Sequence, residues 1–97
     1  MNTKQQAKDT ATKAIASVSK AYWETNSDEI KGILMDLTIA LDDLLAKLDQ
    51  GNIAAASKAM EDSVMPGIKL LSERAGMLEG EAKTALEDAM KLSMMSF

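Results

Sequence analysis

Three pairs of neighbouring carboxylates are the residues best suited in type to acid–base chemistry: Asp42-Asp43, Glu61-Asp62 and Glu87-Asp88. General acid–base work needs two carboxyls converging on one pocket with separated pKa values. Neighbours on a helix point about 100° apart, so none of these pairs converges by itself, and each reads as a solvated helix face. A carboxylate-bridged di-metal site in a helical protein would carry Glu-x-x-His on two helices. The chain has no histidine, so that pattern is absent, along with the commonest general base. It has no cysteine either, which removes disulfides, thiol catalysis and thiolate metal sites. No calcium-loop spacing and no glycine-rich phosphate loop occurs. The expectation is a non-enzymatic protein without metal or cofactor.

The basic residues offer a second kind of chemistry. Arg74 is the only arginine, and readers of phosphate and nucleic acid usually need several, because the guanidinium fork grips phosphate with two bonds. Sequence-specific nucleic-acid binding is therefore not expected, and Arg74 is expected to pair with a carboxylate across a helix interface. The net charge of −4 is unevenly spread. Residues 1–20 hold four lysines against one aspartate, a net +3, while the remainder holds seven basic and fourteen acidic side chains, a net −7. Such a basic segment fits against an acidic face of the same chain, of a second copy or of a charged partner. A small anionic ligand such as a nucleotide, held at a subunit interface by Lys13, Lys20, Tyr22, Trp23 and Arg74, is the alternative this charge pattern suggests.

A third candidate is apolar. Leu86, Met90, Met94 and Phe97 recur at four, four and three residues near the C-terminus. Methionine is flexible and polarizable, and suits adaptable recognition. This stripe either completes a core or offers a patch to a partner, together with Met35 and Ile39.

These residues must be positioned by helices. The 97 residues suffice for one domain, 1–97. Ala, Leu, Met, Lys and Glu, the strong helix formers, are plentiful. The aromatics are only Tyr22, Trp23 and Phe97, and Pro66 is the one proline. A first helix over about 3–24 carries Ala7, Ala11, Ala14, Ile15, Val18, Ala21 and Tyr22 at helical spacing, with Tyr22 and Trp23 placed to close one end of the core. Asn26 or Ser27 then caps a second helix over about 28–50. There Ile30, Leu34, Leu37, Leu41, Leu44 and Leu48 form an unbroken seam spaced four, three, four, three, four. Met35 and Ile39 fall on its opposite side. Gly51 ends that helix and Asn52 starts the next, so the two form an antiparallel hairpin. The apolar stripe then runs on through Pro66, which either kinks a third helix spanning about 52–79 or breaks it near Val64-Met65. A final helix covers about 81–94.

The fold expected is an all-α, three- or four-helix antiparallel bundle built on a helical hairpin and completed by oligomerisation. With no apolar run of the ~18 residues a membrane span needs and a polar N-terminus without a signal-peptide apolar region, a cytoplasmic location is expected. The function expected is binding of another protein, of itself, or of both, as an adaptor, chaperone or inhibitor. Small size and acidity also suit an inhibitor encoded by a phage or mobile element.

Overall fold

The leucine seam dictates the architecture. The structure, a computed structural model, describes residues 3–95. It comprises α1 (Thr3–Glu24), α2 (Asp28–Asp49), α3 (Ile53–Ala59), α4 (Met65–Glu73) and α5 (Glu81–Ser93), with no strand among the described residues. All six seam residues of α2 are buried. They share one core with Ala7, Ala11, Ala14, Val18 and Ala21 of α1, with Ala56, Ala59, Val64, Ile68 and Leu71, and with Ala82, Ala85, Ala89 and Leu92 of α5. Burying each leucine contributes roughly 1.5–3 kcal/mol, so the seam is the main apolar driving force. The alanine stripes of α1 and α5 add little transfer free energy. They lose no rotamer freedom, however, and let the two helices lie close along one another. α1 thus packs along both α2 and α5, α2 also supports α3 and α4, and α4 closes the bundle against α5. Lys8 of α1 meets Asp49 at the far end of α2, and Lys31 near the start of α2 lies over the ring of Tyr22, so α1 and α2 run antiparallel.

The turns follow from local chemistry. Ser27, rather than Asn26, is the N-cap of α2, its hydroxyl accepting from the Ile30 N–H at 3.3 Å. Asp28 and Glu29 follow in the first turn, where the helix dipole favours negative charge. At the other end Gly51 takes φ +75°, a left-handed conformation that suits glycine. Its N–H bonds the Leu48 carbonyl at 3.0 Å and the Asn52 N–H bonds the Lys47 carbonyl at 3.0 Å, the paired bonds of a Schellman motif. The Asn52 side chain then accepts from the Ala55 N–H at 3.1 Å, starting α3.

Pro66 neither breaks its helix nor sits in a plain α-helical kink. A π turn over Met60–Val64 joins α3 to α4, and the Met65 N–H reaches back five residues to the Met60 carbonyl. The widened turn relieves the clash between the proline ring and the carbonyl four residues earlier. Gly67 sits one residue on, against α2. A Cβ there would come within 3.1 Å of a Leu37 methyl, so the absence of a side chain sets how closely α4 approaches the seam.

The third helix ends at Glu73 rather than near Glu79. Arg74 leaves helical geometry at φ −110°, ψ 23°, and a single 3-10 turn, Ala75–Met77, follows. Gly76 disfavours continuation, and the Arg74 guanidinium donates to the Leu70 carbonyl at 3.1 Å, satisfying an end the helix leaves open. Leu78 is buried from extended backbone, whereas Ala75 is exposed. Gly80, at φ +56°, ψ −122°, then turns the chain into α5.

Replacing a seam residue tests this arrangement. Leu41→Ala is expected to lower the urea-unfolding free energy by about 2–5 kcal/mol, the cost of a core cavity. A change under about 0.5 kcal/mol, typical of surface substitutions, would mean that the seam does not form the core.

Candidate interaction surface

The carboxylate pairs are not drawn together. Asp42, Asp43, Glu61, Asp62 and Glu87 are exposed. Asp88 alone is buried, at 4% exposure, and it accepts a 2.5 Å hydrogen bond from the Ser17 hydroxyl. That bond clasps α5 to α1. No buried side-chain polar atom among the described residues lacks a partner, and none of their His, Cys, Asp or Glu side chains cluster in a metal-binding group of three.

The basic residues are dispersed over different helix pairs. Lys8 bridges to Asp49 on α2 at 2.7 Å, and Lys20 to Glu81 of α5 at 3.3 Å. Arg74 is held against Glu29 at the start of α2. Lys13 is exposed on α1. The residues Lys13, Lys20, Tyr22, Trp23 and Arg74 therefore do not converge on one site. A cleft of about 550 Å3 is lined by Ala21, Glu24, Thr25, Asn26, Ser27, Met77, Glu79, Gly80 and Ala82. Two glutamates and no basic side chain line it, a poor setting for an anion.

The apolar candidates regroup. Tyr22 is half-buried and packs against the core, but Trp23 does not close its end. It is 80% exposed, because one residue further along a helix turns the side chain about 100°. Its ring meets Tyr22 edge-on, with centroids 5.2 Å apart. Ser19, Tyr22 and Trp23 of α1 and Met35 and Thr38 of α2 line one shallow groove. Ile39, 61% exposed, continues it one turn beyond Met35. The indole was thus assigned by sequence to a ligand set, whereas its neighbours are the two α2 residues assigned to a partner surface. The readable signal was the 100° step from Tyr22.

Leu86, Met90 and Met94 lie elsewhere, on α5. The polar links from α5 to α1 come from Glu81 and Asp88. By helical phase, Leu86 and Met90 occupy the other flank. Leu86 is half-buried against the core, while Met90 and Met94 are exposed, Met94 by 78%. The core positions of α5 are instead Ala82, Ala85, Ala89 and Leu92. Phe97 lies outside the described residues. No helix among the described residues is long and apolar enough to cross a membrane.

No family model matches the chain, and neither a curated protein nor a solved structure is detectably similar to it. The fold itself places it among all-helical proteins, with four helices packed against one another.

The Ser17–Asp88 clasp yields a stability test. Ser17→Ala is expected to cost about 1–3 kcal/mol, because a buried acceptor loses its donor. Glu87→Ala, on the exposed side of the same helix, should stay within about 0.5 kcal/mol. Equal effects in chemical denaturation would show that the buried bond does not join the two helices.

Proposed function

We propose that this chain works by binding another polypeptide through apolar helix faces, as a small adaptor, chaperone or inhibitor without catalytic chemistry of its own. The observation that carries this reading is the set of large apolar side chains left in solvent. Trp23, Met35, Ile39, Met65, Leu70, Met77, Met90 and Met94 are all more than 40% exposed. Five of these eight are methionines, whose flexible, polarizable thioethers adapt to differently shaped partners. Apolar exposure of this extent beside a well-filled core points to a surface that is covered in use. On α5, Met90 and Met94 beside Leu86 form a flank that a partner helix fits, in the manner of helix-in-groove recognition through residues spaced by one turn.

A native mass spectrum of the protein recovered from its own host tests this reading. A complex containing a second polypeptide is expected. Met90→Asp combined with Met94→Asp should remove that polypeptide while the helical circular dichroism persists. Full retention of it by the double variant would rule out the α5 flank, and a spectrum containing only this chain would contradict the proposal itself.

A further inference from the structure

We infer that the outer face of the α1–α2 hairpin binds a second copy of this chain, with the α1 helix of each copy laid antiparallel on the α2 helix of the other. The inference rests on the reading above in taking exposed apolar helix faces as binding faces. It assigns one of them to self-association and fixes its register.

Heights along the hairpin are set by contacts within the chain. Lys8 is level with Asp49, and Ser19, Tyr22 and Trp23 stand level with Met35 and Thr38. Carrying this antiparallel register along both helices places Lys20 level with Asp36 and Lys13 level with Asp43. The lateral positions follow in the same way. Lys20 lies on the flank of α1 that meets α5, since it bridges to Glu81. Helical phase puts Lys13 on that flank too. On α2 the corresponding outer flank is the one that meets α4, marked by the Glu29–Arg74 pair, and phase puts Asp36 and Asp43 there. All four side chains are exposed, Lys20 beside Glu81 at 3.3 Å and Asp43 beside Lys47 at 2.6 Å in exposed pairs that a second copy can share. The hairpin's outer face therefore has an α1 edge that carries Asp9, Lys13, Lys20 and Glu24 and an α2 edge that carries Asp36, Asp43 and Lys47, with Trp23, Met35 and Ile39 between them.

Two symmetric ways exist to set such a face against a copy of itself. A two-fold axis across the helices lays α1 on α1 and α2 on α2, which sets each edge against its own copy. An axis parallel to the helices lays α1 on α2. That arrangement keeps heights unchanged, so Lys20 meets the second copy's Asp36 and Lys13 meets its Asp43, twice over by symmetry. Charge complementarity favours the second arrangement, in which Asp9 also stands level with the second copy's Lys47.

The same arrangement supplies a seat for the indole. Trp23 points outward at the height of Met35, opposite the second copy's Gly32, Met35, Asp36 and Ile39. Residues at these spacings form the four-cornered hole that receives a knob from a facing helix. Gly32 is exposed in the second turn of α2, with nothing within 4 Å of where its Cβ would stand. Within one chain a glycine there only weakens the helix. In the pair it leaves room for the largest side chain in the protein. Each hairpin helix has 22 residues, so the face is about 33 Å long and about 20 Å wide. The total buried would be about 1,200 Å2, the lower end for a specific interface.

Sedimentation of the full purified chain over a concentration series, followed in parallel by Trp23 fluorescence, tests the inference. A dimer is expected, with indole emission shifting to the blue as it forms. Gly32→Ala should raise the melting temperature of the dissociated chain by about 4–8 °C and yet weaken the dimer about tenfold, because the seat is filled. Lys13→Asp with Lys20→Asp should weaken it by a similar factor, and adding Asp36→Lys with Asp43→Lys should restore it to within about threefold. A monomer at every concentration would overturn the inference, as would a dimer unmoved by Gly32→Ala or not rescued by the charge exchange. A chain that stays monomeric but still carries a second polypeptide from its host would overturn this inference and leave the proposed function standing. A rescued dimer found in the host with no other polypeptide would support this inference and contradict that function.

Discussion

Everything in this molecule depends on the leucine seam of α2. Six large aliphatic side chains, Ile30 to Leu48, are each nearly or wholly removed from water. They lie on one side of a single helix, and the other helices are arranged to cover them. α1 and α5 bring mainly alanine to the task, and neither could bury enough apolar surface to hold its helix alone, given how marginal isolated helices are in water. The seam therefore stabilises the whole chain, and the alanine stripes determine how closely the helices approach. Gly67 performs the same service for α4, where any side chain would press on Leu37. Even the polar clasp between Ser17 and Asp88 acts between two helices that the seam has already brought together.

A chain of this size buries a smaller share of its surface than larger proteins do, and the apolar remainder is not scattered evenly. Much of it falls on the outer face of the α1–α2 hairpin and on the flank of α5 facing away from α1, with Met65, Leu70 and Met77 on α4 and the turn after it. The charges follow a comparable division. The lysines of α1 that reach inward find aspartate or glutamate on neighbouring helices. Such exposed pairs are worth little in stability, typically 0–1 kcal/mol. Their value lies in orientation, since edges whose charges complement one another favour one way of laying two helices together. Apolar faces supply affinity in this account and charged edges supply direction, with no demand for a buried reactive group.

Much of the fold was legible in the sequence, because helical phase is a local property. The four-three spacing of α2, the Gly51-Asn52 turn and the alanine stripe of α1 each follow from contacts within a few residues. Other features depended on what lies across the interface. The end of the third helix at Glu73 reflects the weak helix propensity at Gly76 together with the Arg74 side chain turning back to Leu70, and an apolar stripe that continues in phase conceals it. Pro66 signals a disturbance, yet the π turn that absorbs it is invisible to a count of threes and fours. The candidate surface was legible only in its parts. Phase placed Met35 and Ile39 outside α2, but only the packing of α1 beside α2 shows Trp23 as their neighbour. The same packing separates them from Met90 and Met94 and sets Arg74 apart from Lys13 and Lys20.

The central claim is that a seam on one side of α2 builds the protein while the other side of the same helix is left for binding. Methionine reports on both, since Met60 is buried, Met35 lies on the outer face of the hairpin, and Met90 and Met94 lie on α5. The most direct measurement is a dilution series of methyl-labelled methionine spectra on the intact chain. The account predicts that the Met35 methyl moves with concentration while those of Met60, Met90 and Met94 stay in place. Movement of Met60 with Met35 fixed, or no movement at all up to millimolar concentration, would contradict it.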